Sequence, residues 1–312
     1  MLAILIGLTI GIGLPIQTSI NSRLRDSVGS PFLASLVSFT IGTVFLAIVT
    51  LTLDHTLLFS AGLFASQPWW LWLGGLFGVI YLTGNILLFP KLGSVQTVIM
   101  PVLGQILMGL LIDNYGWFDS KVTALTVTRG LGALLVLLGV ICTVALSNYL
   151  ANRHQVAETK PAPGLWLWRL TGVLTGMLSA SQTAVNGHLG VVLGSSLEAA
   201  LVSFFVGAVA LLLIVLVTRT PVQLATPASA THNPWWMWVG GLIGALYVLG
   251  NVVLVPIVGT GLAVVIVLVG LMAGSLLIDQ FGWLGAKRHP ITMVQVVGLV
   301  IMIVGVVLIR LV

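Results

Sequence analysis

The sequence predicts an all-α integral membrane protein, with ten transmembrane helices arranged as two inverted five-helix repeats. Composition is the first reason. The 312 residues are 58% hydrophobic and only 6% charged, with mean hydropathy +1.17, whereas a soluble domain carries about 25% charged residues. Such a chain cannot cover itself in water, so its solvent is lipid. The second reason is internal repetition. Gln17-Thr18-Ser19-Ile20-Asn21 returns as Gln182-Thr183-Ala184-Val185-Asn186 at an offset of 165. Pro68-Trp69-Trp70-Leu71-Trp72 returns as Pro234-Trp235-Trp236-Met237-Trp238, now at 166. Gly74-Gly75, Gly78, Tyr81, Gly84-Asn85 and Pro90 match Gly240-Gly241, Gly244, Tyr247, Gly250-Asn251 and Pro256, and Asp113 with Gly116-Trp117 matches Asp279 with Gly282-Trp283. A period this long means two copies of one domain.

The third reason is the span count. A helix needs about 20 mostly apolar residues to cross the hydrocarbon core. In the first copy (residues 1–146) this ruler gives Leu2–Ile20, Phe32–Leu53, Trp69–Phe89, Ser94–Ile112 and Val122–Leu146. In the second (165–312) it gives Leu165–Val185, Leu197–Val217, Trp235–Val255, Thr260–Ile278 and Ile291–Ile309. The first segment lacks the basic start of a signal peptide, and its copy recurs internally, so it reads as a retained helix. Ser147–Gly164 is the most polar stretch and reads as a linker. Five spans are an odd number, so each copy ends on the side opposite its start and the second begins upside down.

Charge orients the chain. Loops after odd-numbered spans, the linker included, hold Arg23, Arg25, Lys91, Arg153, Lys160, Arg219, Lys287 and Arg288, with Arg169 just inside the next helix. The other face has Lys121, Arg129 and Arg310. Basic residues favour the cytoplasm, so the first face is expected inside and both termini outside. The formal charge of +5 is strung between apolar runs, which argues for membrane anchoring and against a nucleic-acid surface.

Polar side chains inside a bilayer are costly, so those that remain are candidates for function. Gln17 and Asn21 share a helix face, as do Tyr81 and Asn85. Tyr81 lies about 18 Å into its helix from Trp69, near the midplane. Asn85, Gln17 and Asn21 fall toward the cytoplasmic end. Inversion sends Gln182, Asn186 and Asn251 toward the outer end and returns Tyr247 to the middle. Two mirrored polar clusters around a tyrosine pair suit an alternating-access path, and paired repeats are a common ground plan of secondary transporters. The same amides also serve as hydrogen-bond glue between helices. The fourth span adds Gln96, Pro101 and Gln105, whose counterparts are Leu262, Val267 and Leu271. Pro101 either frees carbonyls for a ligand or simply kinks its helix. Asp113 and Asp279, at the ends of spans four and nine, are candidates for coupling or gating, or mark helix ends. The tryptophans suit interfacial belts, and Gly74-x-x-x-Gly78 and Gly240-x-x-x-Gly244 suit close helix packing.

Enzyme motifs are missing: there is no H-E-x-x-H, G-x-S-x-G or P-loop lysine motif. The five histidines lie in or near predicted loops, and Cys142 stands alone. No cofactor or metal site is expected. The expected partners are a small-molecule substrate and the lipid bilayer, with the chain acting as a monomer or a homodimer.

Gly13 through Gln17 to Asn21, Gly74-Gly75-x-x-Gly78-x-x-Tyr81, Leu103-Gly104-Gln105, and Ile112-Asp113 with Gly116-Trp117 resemble the bacterial YdcZ-type family of the drug/metabolite transporter superfamily. The likeness covers nearly the whole chain outside the linker. Members are five-span proteins or fused ten-span pairs, and this chain resembles a fused pair. The second copy departs where Gly270-Leu271 replaces the Gly-Gln pair. The resemblance implies an inner-membrane exporter of small molecules. A passive channel and a non-transporting membrane scaffold are the rival classes.

Overall fold

The computed structural model describes residues 2–57, 62–146, 149–150, 164–221, 234–285 and 290–310. The expected linker Ser147–Gly164 lies almost wholly outside the described residues. Ten helices carry the described chain: α1 Leu2–Val28, α2 Pro31–Leu53, the short α3 Gly62–Ser66, α4 Gly74–Tyr115, α5 Val127–Val140, α6 Leu165–Leu193, α7 Ser196–Val217, α8 Gly240–Val258, α9 Thr260–Phe281 and α10 Met293–Arg310. A π-helical turn, Ile141–Leu146, extends α5.

Matched local sequences make matched joints. α1 ends at Gly29 (φ 72) and α6 at Gly194 (φ 70), both left-handed, a conformation that glycine adopts without penalty. The next residue caps the following helix. The Ser30 hydroxyl accepts from Leu33 N–H at 3.4 Å and Ser195 from Glu198 N–H at 3.2 Å, satisfying orphan donors of the first turn. The tryptophan clusters form single 3₁₀ turns, Trp69–Trp72 and Trp235–Trp238, that lead into α4 and α8.

α4 runs for 42 residues, too long for one crossing. A straight helix would place Leu88 and Met100 about 18 Å apart. Yet a Cβ added to Gly172 of α6 would stand 2.7 Å from Met100 Cβ and 3.5 Å from Leu88 Cδ1. α4 therefore folds back on itself between these residues, an interval that holds Pro90, a usual cause of sharp kinks. Its two arms match the expected spans Trp69–Phe89 and Ser94–Ile112.

Among the described residues, eight helices are long and apolar enough to cross a membrane, the second arm of α4 among them. The other two expected spans are helical as well: Trp69–Phe89 supplies the first 3₁₀ turn and the first arm of α4, and Leu165–Val185 most of α6. α6 is less apolar than its neighbours because it carries Arg169, Gln182, Asn186 and several hydroxyl residues.

Equivalent helices pack on one another in pairs. In α5 and α10, Gly132 lies against Gly305 O and Gly139 against Gly298 O, where added Cβ atoms would come to 2.7 and 2.5 Å. The residue numbers rise along one helix as they fall along the other, so the pair is antiparallel. In α2 and α7, Phe39 and Phe204 stack with ring centroids 4.9 Å apart. Each ring covers the glycine of the facing helix, Phe204 on Gly42 and Phe39 on Gly207. Among the described residues, α9 is the most enclosed of these spans, with most of its side chains buried. Leu5, Ile48, Leu213, Val217 and Val300 are exposed and form part of the apolar outer face.

Candidate functional site

The polar centre is set by two helix crossings that need glycine. A Cβ at Gly104 would stand 1.9 Å from Val173 O, and one at Gly176 would stand 1.9 Å from Pro101 O. With no side chains between them, the second arm of α4 and α6 touch backbone to backbone. Gln105 then meets Ser179 and donates to its hydroxyl at 3.1 Å, both residues being buried. Across from them, α8 presents Tyr247 and Asn251, while α9 presents Val264 and Val267. These residues and Thr183 enclose a cavity of about 10 Å³, room for roughly one water. A neighbouring cavity of the same size is lined by Gln182, Thr183, Asn186, Tyr247, Val248 and Asn251. Ligand pockets hold about 300–1,000 Å³, so the centre has no room for a ligand of that size in this conformation.

Five of the sequence candidates therefore line the centre: Gln105, Gln182, Asn186, Tyr247 and Asn251. Tyr81 adjoins them, with its side chain close to Asn85, Gln105 and Tyr247. The two asparagines behave alike. Asn85 Nδ2 donates to Tyr81 O and Asn251 Nδ2 to Tyr247 O, each at 3.0 Å and one helical turn away.

The four amides assigned to the two mouths sit in reciprocal clasps. Gln17 lies on Gly244 and Asn21 on Gly240, while Gln182 lies on Gly78 and Asn186 on Gly74. Cβ atoms at these glycines would come within 1.9–2.7 Å of the amide heteroatoms. The two G-x-x-x-G motifs thus seat amides from the other copy. Asn186 Nδ2 donates to Ser203 Oγ at 2.9 Å, while the Oδ1 atoms of Asn21 and Asn186 are buried without a hydrogen-bond partner.

Three candidates lie elsewhere. Gln96 accepts from Arg169 Nε at 2.8 Å at an exposed position, beside Lys91 packed over the Trp168 ring. Asp113 is fully buried in a corner. Its carboxylate accepts from Arg129 Nη2 at 2.8 Å and from the N–H groups of Thr260 and Gly261 at 2.8 and 3.0 Å. A carboxylate at a helix N-terminus satisfies orphan donors and the helix dipole together, so Asp113 ties α4 and α5 to the start of α9. Asp279 is half-buried.

The sequence reading missed Ser179, Thr183 and Arg129. Ser179, Gln182, Thr183 and Asn186 form an i, i+3, i+4, i+7 stripe on α6. That pattern was available, but hydroxyl residues are common in membrane helices because they bond back to their own backbone, as Thr183 does to Ser179 O at 3.2 Å. Arg129 read as an outer-face charge; buried against Asp113, it is no free surface charge.

A helical membrane protein packed around a small polar centre is the class that these features define. The family model described as "Putative inner membrane exporter, YdcZ" matches residues 2–142 and again 167–308. The chain belongs to that family, in a form with two fused copies, and is a multi-pass protein of the inner membrane. The family is one of exporters and not of enzymes. A solved crystal structure aligns with TM-score 0.68 and 16% identity, covering 99% of this chain and 96% of that one, and so shares the fold. No curated protein matches.

Proposed function

We propose that the chain crosses the membrane ten times as two inverted five-helix repeats, residues 1–146 and 165–312 joined by the linker 147–164. It exports a small organic metabolite or drug by alternating access. The observation that carries this reading is the small polar centre formed by Gln105, Ser179, Thr183, Tyr247 and Asn251, where an apolar bundle has no structural need for so many hydrogen-bonding groups. The antiparallel pairing of equivalent helices supports the inversion, and so do the reciprocal amide clasps, one matched joint from each copy, of which Gln182 and Asn186 also border the centre. Tyr81, Asn85, Tyr247 and Asn251 line the path; Gln17, Asn21, Gln182 and Asn186 line its two mouths. The centre bears no formal charge, which favours a neutral or weakly polar substrate.

The test compares metabolites inside and outside cells producing the wild type or a folded Tyr247→Phe/Asn251→Ala variant. A compound exported by the wild type alone identifies the substrate and supports the centre. Equal profiles at equal membrane abundance, across a broad panel, would count against it and favour a scaffold. Flux that does not saturate and shows no counter-exchange would favour a channel.

A further inference from the structure

Gln96 lies away from the polar centre, at a corner where α6 begins against the fold-back of α4. Gly172 of α6 lies there on Leu88 and Met100. About one turn beyond that contact, each segment carries a polar or aromatic group: Lys91 after Leu88, Gln96 before Met100, and Trp168 with Arg169 before Gly172.

These groups are oriented without being neutralised. Arg169 Nε donates to Gln96 Oε1 at 2.8 Å, and Lys91 Nζ stands 5.7 Å from the centroid of the Trp168 ring, within the range of a cation–π contact. Both cations are exposed, and neither is paired with a carboxylate among the described residues. An amide and an indole hold a cation in place but leave its charge intact. Two positive charges are therefore fixed side by side, held by neighbouring residues of α6. The positive-inside bias asks only that basic residues lie in a loop; it does not ask for a neutral partner on a second helix.

Apolar surface adjoins the charges. Leu170 and Leu174 follow Arg169 along α6, Leu87 lies one turn before Lys91 on α4, and all three are exposed. The second copy lacks the whole cluster. The counterparts of Lys91, Gln96, Trp168 and Arg169 are Ile257, Leu262, Ala3 and Ile4. A charge that the helix geometry required would recur with the repeat. Inversion sets the two corners at opposite membrane surfaces, so the cations serve something met at one surface alone. Under the proposed topology that surface is cytoplasmic, where anionic lipids draw basic side chains and basic pockets between helices hold their headgroups.

We infer that Lys91 and Arg169, oriented by Trp168 and Gln96, bind the phosphate of one anionic phospholipid at the junction of α4 and α6. Its acyl chains lie along Leu87, Leu170 and Leu174, which is why the ligand is a lipid and not a free phosphate ion. The headgroup bridges the fold-back of α4 to the start of α6, the two elements that carry Gln105 and Ser179 into the centre. The site does not depend on the transport reading; only its assignment to the cytoplasmic leaflet rests on the proposed topology.

Native mass spectrometry of the full-length protein in detergent, titrated with phosphatidylglycerol or phosphatidylcholine, tests the site. One phosphatidylglycerol per chain should bind more tightly than phosphatidylcholine. A basic residue near the surface is worth roughly fivefold in affinity, so Lys91→Gln/Arg169→Gln should weaken that binding about thirty-fold. Arg219→Gln/Arg310→Gln removes the same charge from exposed positions elsewhere and should leave it unchanged. The elution profile checks that both variants are folded, and the comparison of the two lipids needs no variant. Equal binding of the two lipids would overturn the proposal. So would equal losses in the two variants, which would mean diffuse attraction to the whole basic surface. Displacement of the lipid by equimolar glycerol phosphate would overturn it too, since a soluble anion would then suffice.

Discussion

The α4–α6 crossing and its counterpart, α9 on α1, use the same backbone joint and fill it differently. Gly104 on Val173 O is repeated by Gly270 on Leu8 O, and Gly176 on Pro101 O by Gly11 on Val267 O. At the first crossing Gln105 bonds Ser179; at the second, Leu271 and Leu14 occupy the matched positions and join apolar clusters. The corners follow the same rule. Asn114 Oδ1 accepts from Leu125 N–H at 2.8 Å, and Gln280 Oε1 from Ile291 N–H at 2.7 Å. One turn on, Arg129 reaches away to Asp113, whereas Gln295 folds back onto Thr292 N–H and hydroxyl at 2.9 and 3.1 Å as a capping box. Duplication preserved the contacts that set helix geometry and let the side chains beside them diverge. Function is therefore to be sought where the copies differ in chemistry over a shared frame.

The corner should give the largest difference. Arg129→Leu strands a buried carboxylate and should lower stability by about 3–5 kcal/mol, whereas Gln295→Leu removes only a cap and should cost about 1 kcal/mol. Thermal unfolding in detergent measures both. Equal losses would mean that Asp113 is not held as the geometry implies.

Glycines at the crossings should instead respond alike in both copies. Gly104→Ala and Gly270→Ala each push a methyl group into a backbone carbonyl, at 1.9 and 2.4 Å, and neither carbonyl can swing aside as a side chain would. Each should cost about 1–3 kcal/mol. A tolerant Gly270→Ala would show that the two joints are less alike than their contacts.

The clasps offer a subtler check. Gly74→Ala should clash with the Asn186 amide, and Asn186→Ala should relieve the clash. The double-mutant cycle should therefore give a coupling of about 0.5–3 kcal/mol. Gly240→Ala with Asn21→Ala should give a coupling of similar size. Additive effects in either cycle would break the symmetry argument.

Much of this frame was legible because it is written in residue types with one physical use. The glycines, the tryptophan turns and the apolar runs marked the helical segments, their match between the two copies, and the G-x-x-x-G motifs as places of close packing. What those glycines contact was not legible: the sequence suggested helix on helix, while the fold places the amides of Gln17, Asn21, Gln182 and Asn186 there. The fold-back of α4 and the partner of Arg129 depend on residues far apart in the chain, and no local pattern encodes them. Tyr247, Asn251 and Gln105 were readable because polar groups in lipid are rare. Gln96, equally polar, is instead used by Arg169 near a helix end.

Gln105 separates function from glue with the smallest structural effect. Gln105→Leu makes the first crossing resemble the second, where leucine already fits the same glycine-lined joint. Ser179 loses its partner, but a helical serine can turn its hydroxyl onto the preceding turn, as Thr183 and Ser181 do, so the cost should be only about 0.5–1.5 kcal/mol. Unfolding of the purified variant measures that loss, and the metabolite comparison measures export. If Gln105 only holds helices together, export should fall no further than membrane abundance does. A variant of nearly full abundance that exports nothing would assign the amide to the substrate, and would explain why one crossing kept a polar pair that the other did without.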